Sequence, residues 1–134
     1  MSYRLLLIDD DHRLHDLLLE YLSGHGYSLS HAPDGPRGLV ALEEDTYDAI
    51  LLDVDNGPDG LTAAANDRLY DRKGLDAARA ALKPGGILAV WSAGSDDAFT
   101  RRLRSAGFSV EEVAVRARDN GKGPRHVIWF AQKG

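Results

Sequence analysis

The chain has no cysteine, which excludes disulfide bonds and thiolate metal sites. This absence fits a reducing compartment, and we expect a cytoplasmic location. No apolar run approaches the roughly 20 residues of a membrane-spanning helix, and the start, Met1–Arg4, lacks the pattern of a signal peptide. No basic run is dense enough, or carries enough aromatic residues, for a nucleic-acid surface. The sequence therefore predicts a soluble protein without membrane or nucleic-acid partners.

The charge of the chain is unevenly spread. Residues 1–60 contain 3 Lys and Arg against 13 Asp and Glu, whereas residues 61–134 contain 13 against 8. Such asymmetry is typical either of an acidic site beside a basic surface or of pieces with different histories. At 134 residues, the chain is long enough for one domain with a real core.

Short apolar runs alternate with segments of helical periodicity. Leu14, Leu18 and Leu22, for example, give the first helix one apolar face. The loop at 119–124 is too short for a helical crossover, so we expect the last two strands to be antiparallel. The pattern predicts an α/β three-layer sandwich with a doubly wound, mostly parallel sheet. The predicted strands are 3–8, 27–32, 48–54, 87–92, 108–117 and 126–131.

Two helix boundaries are predicted from local signals in the second half. The Ala-rich helix over Leu75–Leu82 is expected to end at the turn Pro84–Gly86. Ser95 is expected to cap the next helix.

Three carboxylates follow strands that we expect to be neighbours. Asp9 and Asp10 end the first strand and Asp53 ends the third. Carboxyl ends of parallel strands share one edge of a sheet, where ligands bind at the switch in strand order. A hard divalent cation would relieve the repulsion between these carboxylates. We therefore predict weak Mg²⁺ binding by Asp9, Asp10 and Asp53, although no cofactor is required by this interpretation.

Residues 1 to about 55 resemble the receiver domain of bacterial response regulators, a flavodoxin-like fold. The resemblance implies that Asp9, Asp10 and Asp53 hold Mg²⁺ and that Asp53 accepts a phosphoryl group from a histidine kinase. The matching pieces are Ile8–Asp11, the first helix, Gly26-Tyr27, Ala32–Gly35 and Leu51–Val54.

Residues from about 47 to 134 resemble the second half of class I SAM-dependent methyltransferases, a Rossmann-like fold, and are most similar to spermidine-synthase-like members. That family ends its sheet with an antiparallel pair whose last strand is inserted, which implies the strand order 2-1-3-4-6-5. The matching pieces are Tyr47–Pro58, Leu69-Tyr70, Gly74-Leu75, Leu82–Trp91 and the final pair of strands.

The two resemblances overlap only at Tyr47–Val54. We interpret the chain as one hybrid domain over 1–134, with a receiver-like half at 1–54 and a methyltransferase-like half at 48–134. Natural fusions more often append whole domains through a linker, so we expect an engineered chimera.

Phosphoryl transfer needs fixed cations and donors around the moving group. The receiver family supplies a hydroxyl after its fourth strand and a Lys after its fifth. Ser92 matches the hydroxyl position, and Arg125 or His126 is the nearest cationic substitute for the Lys. We predict Ser92 and Arg125 as supporting residues for Asp53.

SAM binding requires a glycine-rich first turn and an acid after the second strand. The turn at Asp9–His12 has no glycine, and Asp34 is more often a turn residue than a ribose ligand. We therefore expect a chimeric scaffold that is not an enzyme, with no catalytic residues and no bound SAM. A phosphorelay module using Asp53 and a remnant of a SAM-dependent methyl or aminopropyl transferase are the two alternatives.

Overall fold

A computed structural model of the chain describes residues 3–9, 12–22, 24–53, 69–92, 96–116 and 125–134. Of residues 12–15, 115–116 and 125–126 it describes the backbone alone. The elements in chain order are β1 Tyr3–Asp9, α1 His12–Leu22, β2 Tyr27–Ala32, α2 Gly35–Glu44, β3 Tyr47–Asp53, α3 Arg72–Ala81, β4 Leu82–Ser92, α4 Asp97–Ser105, β5 Phe108–Arg116 and β6 Arg125–Lys133. Within the part of the chain thus described, every helix is too short or too polar to cross a lipid bilayer.

The six strands form one mixed sheet in the order β2-β1-β3-β4-β6-β5. The first four run parallel, and β6 lies antiparallel between β4 and β5. The predicted α/β class and the strand order 2-1-3-4-6-5 are therefore confirmed.

One face of the sheet carries the hydrophobic core. Its strand residues alternate with period two, as in Leu6, Ile50, Leu88 and Trp129, all at most 1% exposed. Apolar side chains of α2, α3 and α4 pack against them in one continuous cluster. This cluster joins residues from both halves of the chain, so the core crosses the predicted joint.

The opposite face is covered unevenly. Among the described elements, α1 is the helix that contacts this side, where it packs on β1 and β2. The alternate residues of β4 and β6 on this face are half-buried or exposed, and Ile87 and Phe130 are each 37% exposed. The sheet is therefore well covered on one side and partly open on the other.

Aspartates begin three of the helices. Asp34, Asp71 and Asp96 precede α2, α3 and α4, and each accepts a backbone N–H from the first turn. The predicted cap at Ser95 is wrong, because Asp96 accepts the Phe99 N–H at 3.0 Å. Ser95 itself lies outside the described residues.

The β4 strand begins earlier than expected. Leu82, predicted as the end of a helix, pairs with Tyr47 as the first residue of β4. The segment Pro84–Gly86 makes an irregularity inside the strand, since the register shifts between Tyr47 and Ala49. Gly85 has φ +80°, and a Cβ at Gly86 would lie 2.9 Å from the Asp48 carbonyl oxygen. Glycine is therefore favoured at Gly85 by its backbone conformation and at Gly86 by the lack of space. These residues bend the strand and do not separate it from the helix.

Candidate functional site

Asp9 and Asp53 lie side by side at the carboxyl edge of the parallel strands. They are register partners in the β1–β3 pair and the last residues of their strands. Asp9 is 1% exposed, whereas Asp53 is half-buried and borders the open face. Neighbouring parallel strands place partner side chains on the same face. The structure thus brings two of the three predicted cation ligands together.

The third predicted ligand, Asp10, lies outside the described residues. Within the residues that are described, no cluster of three or more histidine, aspartate or glutamate side chains has a metal-ligating arrangement. Two adjacent carboxylates still fit Mg²⁺, which commonly keeps several waters and binds proteins through one or two carboxylates.

His31 fixes the end of β1 from the neighbouring strand. Its Nε2 lies 2.8 Å from the Asp9 carbonyl oxygen. A carbonyl oxygen can only accept, so Nε2 must carry the proton and donate it. This contact orders the backbone at Asp9. Sequence reasoning missed it because His31 is 22 positions away, and its place opposite Leu7 depends on strand pairing.

Asp53 lies at one end of an apolar groove on the open face. The groove has a volume of about 220 Å³. Continuing the β3–β4 register by one residue beyond Leu52 and Val90 places Trp91 beside Asp53. The lining residues are Leu7, Leu51, Leu52, Asp53, Ala89, Trp91, Ile128 and Phe130.

Ser92 ends β4 at the same edge, but on the other side of the sheet. It alternates with Trp91, so it shares the face of Val90 and pairs with Val127, which belongs to the buried core. Ser92 is 3% exposed. The structure therefore does not bring the Ser92 hydroxyl onto the face of Asp53.

Arg125 begins β6, where it pairs with Arg116, two residues beyond the pairing of Val127 with Ser92. The backbone therefore places Arg125 at the carboxyl edge of the parallel strands, as expected. Its side chain lies outside the described part of the structure.

A second polar cluster, which the sequence did not reveal, occupies the opposite edge. Asp48 Oδ2 accepts the Arg4 backbone N–H at 2.7 Å and the Lys83 ammonium at 3.3 Å. These contacts, led by the Arg4 backbone hydrogen bond, lower the pKa of Asp48. Asp45 forms a two-point ion pair with the Arg4 guanidinium, and its pKa is lowered first by a backbone hydrogen bond from Thr46 and then by Arg4. This cluster ties β1, β3 and β4 together at their starts.

The acid after β2 serves a structural purpose. Asp34 accepts the Arg37 backbone N–H at 2.9 Å and caps α2. Its carboxylate is thus engaged by the helix, and the turn after β1 has no glycine to let a ligand approach the backbone. These residues fit SAM poorly.

No protein-family model matches the chain. Curated sequence relatives are response regulators and transcriptional regulators, matched mainly over the N-terminal part. Transcriptional regulatory protein RprY of Bacteroides fragilis is 35% identical over 115 residues, which are 84% of this chain and 47% of that protein. Response regulator MprA of Mycobacterium tuberculosis is 43% identical over 54 residues, 40% of this chain and 24% of that protein. The chain thus spans about half the length of RprY and about a quarter of the length of MprA.

Solved structures give a different likeness. A methyltransferase from Pyrococcus furiosus superposes on 99% of this chain and 76% of its own, with a TM-score of 0.65 and 15% identity. Human methyltransferase-like protein 13, in complex with SAH, superposes on 100% of this chain and 73% of its own, with a TM-score of 0.64 and 16% identity. At such identities the likeness is one of fold.

The prediction that the chain is not an enzyme is wrong, because the whole chain has the fold of methyltransferases. The sequence evidence for that exclusion was that both sites are incomplete, since the first turn has no glycine and the Lys of the receiver family is missing. The chain is thus similar to response regulators in sequence and to methyltransferases in fold.

Proposed function

We propose that the chain is a recombined α/β module that binds a divalent cation between Asp9 and Asp53 and uses Asp53 as a phospho-acceptor. The observation that carries the proposal is the pairing of these two carboxylates at the ends of adjacent parallel strands. The sequence likeness to response regulators supports the same assignment. It also makes a histidine kinase the proposed phosphodonor.

The two carboxylates have different environments and would have different roles. Asp9 is buried, so its negative charge is costly unless a cation or hydrogen bonds compensate for it. Asp53 is half-buried beside an open groove and is therefore accessible to a small donor. Asp9 would hold the cation, and Asp53 would share it and attack the phosphorus atom. The donor's leaving group departs as the aspartyl phosphate forms.

The groups that would stabilise the transferred phosphoryl group differ from those that the resemblance to receiver domains implies. Ser92 lies on the other face of the sheet, so a water or the cation itself would have to meet the charge of the phosphoryl oxygens. Arg125 remains the proposed cationic residue, since its backbone lies at the same edge as Asp53. We therefore expect a slower transfer than a complete set of donors would give.

The test is incubation with acetyl phosphate and Mg²⁺, followed by intact-mass analysis. One phosphoryl group should be added to the parent chain and to an Asp97→Asn control, in which the exposed carboxylate lies at the start of α4. Asp53→Asn should show no addition, and Asp9→Asn should need a higher Mg²⁺ concentration. Equal addition to the Asp53→Asn variant would overturn the assignment.

Cation binding can be measured independently with Mn²⁺. The paramagnetic ion should broaden the amide resonances of Ile8, Asp9 and Leu52 before those of β5, because relaxation falls steeply with distance. Broadening that begins elsewhere, or that needs no more Mn²⁺ in Asp9→Asn than in the parent chain, would contradict the proposed site.

A transferase that uses SAM is the second candidate, favoured by superposition of the whole chain on methyltransferases. The residues after β1 and β2 fit that ligand poorly, for the reasons given above. Calorimetric titration with SAH separates the candidates: saturable micromolar binding would favour the transferase, and its absence would favour the phospho-acceptor.

A further inference from the structure

The open face of the sheet forms the floor of an apolar corner. Leu51, Ala89, Trp91 and Ile128 are half-buried there, and Phe130 is 37% exposed. Val113 of β5 continues the floor, because it pairs with Ile128. The floor thus extends across four neighbouring strands, β3, β4, β6 and β5.

The flank of α1 forms the wall of the corner. Leu17 and Tyr21 are 64% and 69% exposed, whereas Leu18 and Leu22 are half-buried toward the sheet. A right-handed β1–α1–β2 crossover, with β2 and β3 on opposite sides of β1, fixes which side this flank faces. The helix α1 runs antiparallel to the strands and is right-handed. Leu17 and Tyr21, which lie next to Leu18 around the helix axis, are therefore on the side of α1 that faces β3 and β4. Leu17 and Tyr21 therefore border the open floor.

The rim of the corner is acidic. Asp53 borders the floor, Glu20 lies beside Tyr21 on α1, and the exposed Glu111 pairs with Phe130. Among the side chains that the structure describes, neither the groove lining nor this flank of α1 includes a lysine or an arginine. An apolar corner with an acidic rim is complementary to an amphipathic helix with basic residues beside its apolar face.

A second copy of the chain is a poorer match. A two-fold interface would place the same surface of each copy against the other. The acidic rim would then face itself, and like charges across an interface oppose association.

We propose that this corner, formed by the β3–β4–β6–β5 floor and the Leu17–Tyr21 flank of α1, docks a basic amphipathic helix of a partner protein. The apolar side of the helix would cover Trp91 and Phe130, and its lysines or arginines would meet Glu20 and Glu111. The proposal goes beyond phosphoryl transfer, and it stands whether or not Asp53 accepts phosphate.

The test uses a helical peptide of about 18 residues, roughly 27 Å long, with leucines at i, i+3, i+4 and i+7 and lysines elsewhere. One matched peptide has glutamates in place of the lysines, and another has the Leu/Lys composition scrambled. Binding is followed by the fluorescence of Trp91, which is half-buried in the floor, against the constant signal of the buried Trp129. The Leu/Lys peptide should bind and shift the emission to shorter wavelength.

Variants of the corner decide where the peptide binds. Leu17→Ser and Phe130→Ser should each weaken binding roughly tenfold. Val40→Ser is the matched control, since Val40 is 52% exposed on α2, which packs on the other face. Glu20→Gln should lower the affinity and the salt dependence together. Because Leu17 is already exposed, its replacement leaves the fold intact even where the Phe130 variant does not.

Equal binding of the lysine and glutamate peptides would overturn the proposal, as would a Val40→Ser loss as large as that of Leu17→Ser. Failure of the Leu/Lys peptide to bind would also overturn it, and concentration-dependent dimers in sedimentation would then assign the corner to a second copy. These results are separable from the phosphorylation assay, since Leu17 and Phe130 lie outside the carboxylate pair.

Discussion

The Lys83 ammonium donates a hydrogen bond to the Asp48 carboxylate over 3.3 Å and so joins the start of β4 to the start of β3. The same Oδ2 accepts the backbone N–H of Arg4 in β1 at 2.7 Å. One carboxylate therefore links three strands, and it lies in Tyr47–Val54, the segment where the two sequence resemblances overlap.

Removal of the Asp48 acceptor should destabilise the chain. Asp48→Ala loses both hydrogen bonds and should lower the free energy of unfolding by about 1 kcal/mol. The effect is modest because the Asp48 side chain is partly exposed to solvent, which weakens its ion pair. Asp48→Asn should cost less, because its amide oxygen can still accept the Arg4 N–H. Urea denaturation at neutral pH measures both, with Glu43→Ala as an exposed control. An Asp48→Ala loss no larger than that of Glu43→Ala would contradict the linkage.

The second polar cluster, which contains Asp45 and Asp48, also predicts the pH dependence of stability. The pKa values of Asp45 and Asp48 are lowered from 3.8 by hydrogen bonds and by the cations Arg4 and Lys83. A lowered pKa stabilises the folded chain above the unfolded value, and this stabilisation is lost as pH falls through the folded pKa. The free energy of unfolding should therefore rise with pH across the acid range. In the Asp45→Asn/Asp48→Asn double variant, the rise below pH about 4 should be shallower. If the free energy of unfolding rises with pH equally steeply in the parent chain and in the double variant, this assignment is contradicted.

Thr100 forms a hydrogen bond with the buried side chain of Trp129. Its hydroxyl accepts the Trp129 indole N–H at 2.8 Å, and Trp129 meets Phe99 edge-on at 4.9 Å between ring centroids. Thr100→Val keeps the shape but leaves a buried donor without its acceptor, which should cost about 1–3 kcal/mol. Thr100→Ser keeps the hydroxyl and should cost less. Thermal unfolding followed by tryptophan fluorescence compares them, and equal losses would show that the hydrogen bond contributes little.

Gly38 provides the close approach of α2 to β1. A Cβ at this position would lie 2.9 Å from Ile8 Cδ1 and 3.0 Å from Cγ2. Gly38→Ala would gain about 0.5–1 kcal/mol of helix stability, but the overpacking of a buried core side chain costs about 1–3 kcal/mol and should dominate.

A double-mutant cycle isolates that clash. Ile8→Val removes the Cδ1 atom, so the Gly38→Ala/Ile8→Val pair should lose less stability than the two single changes added together. Strict additivity in urea denaturation would mean that the helix moves away and the two side chains do not compete.

The sheet order could be predicted because the two family resemblances imply which strands are neighbours, and the strands ending at Asp9 and Asp53 are indeed adjacent. The short connection between β5 and β6 leaves no room for a helical crossover, so their antiparallel pairing could also be predicted. The start of β4 could not. Pro84–Gly86 has the composition of a turn, and only the close approach of the Asp48 carbonyl shows that the same residues bend a strand.

The face of the sheet on which Ser92 lies could not be predicted from the sequence either. A one-residue change of register moves a side chain to the other side of a sheet, and the pairing of Leu52 with Val90 was not readable from the residues themselves. His31 was missed for a related reason, since its contact with Asp9 is made between strands and leaves no local pattern.

The position of β6 between β4 and β5 also sets an order of events during synthesis. β5 leaves the ribosome before β6, the strand through which it joins the sheet, so until β6 emerges β5 has no neighbouring strand to pair with. The first four strands and their crossover helices can assemble as the chain grows, whereas the antiparallel pair must be added as a late, joint step.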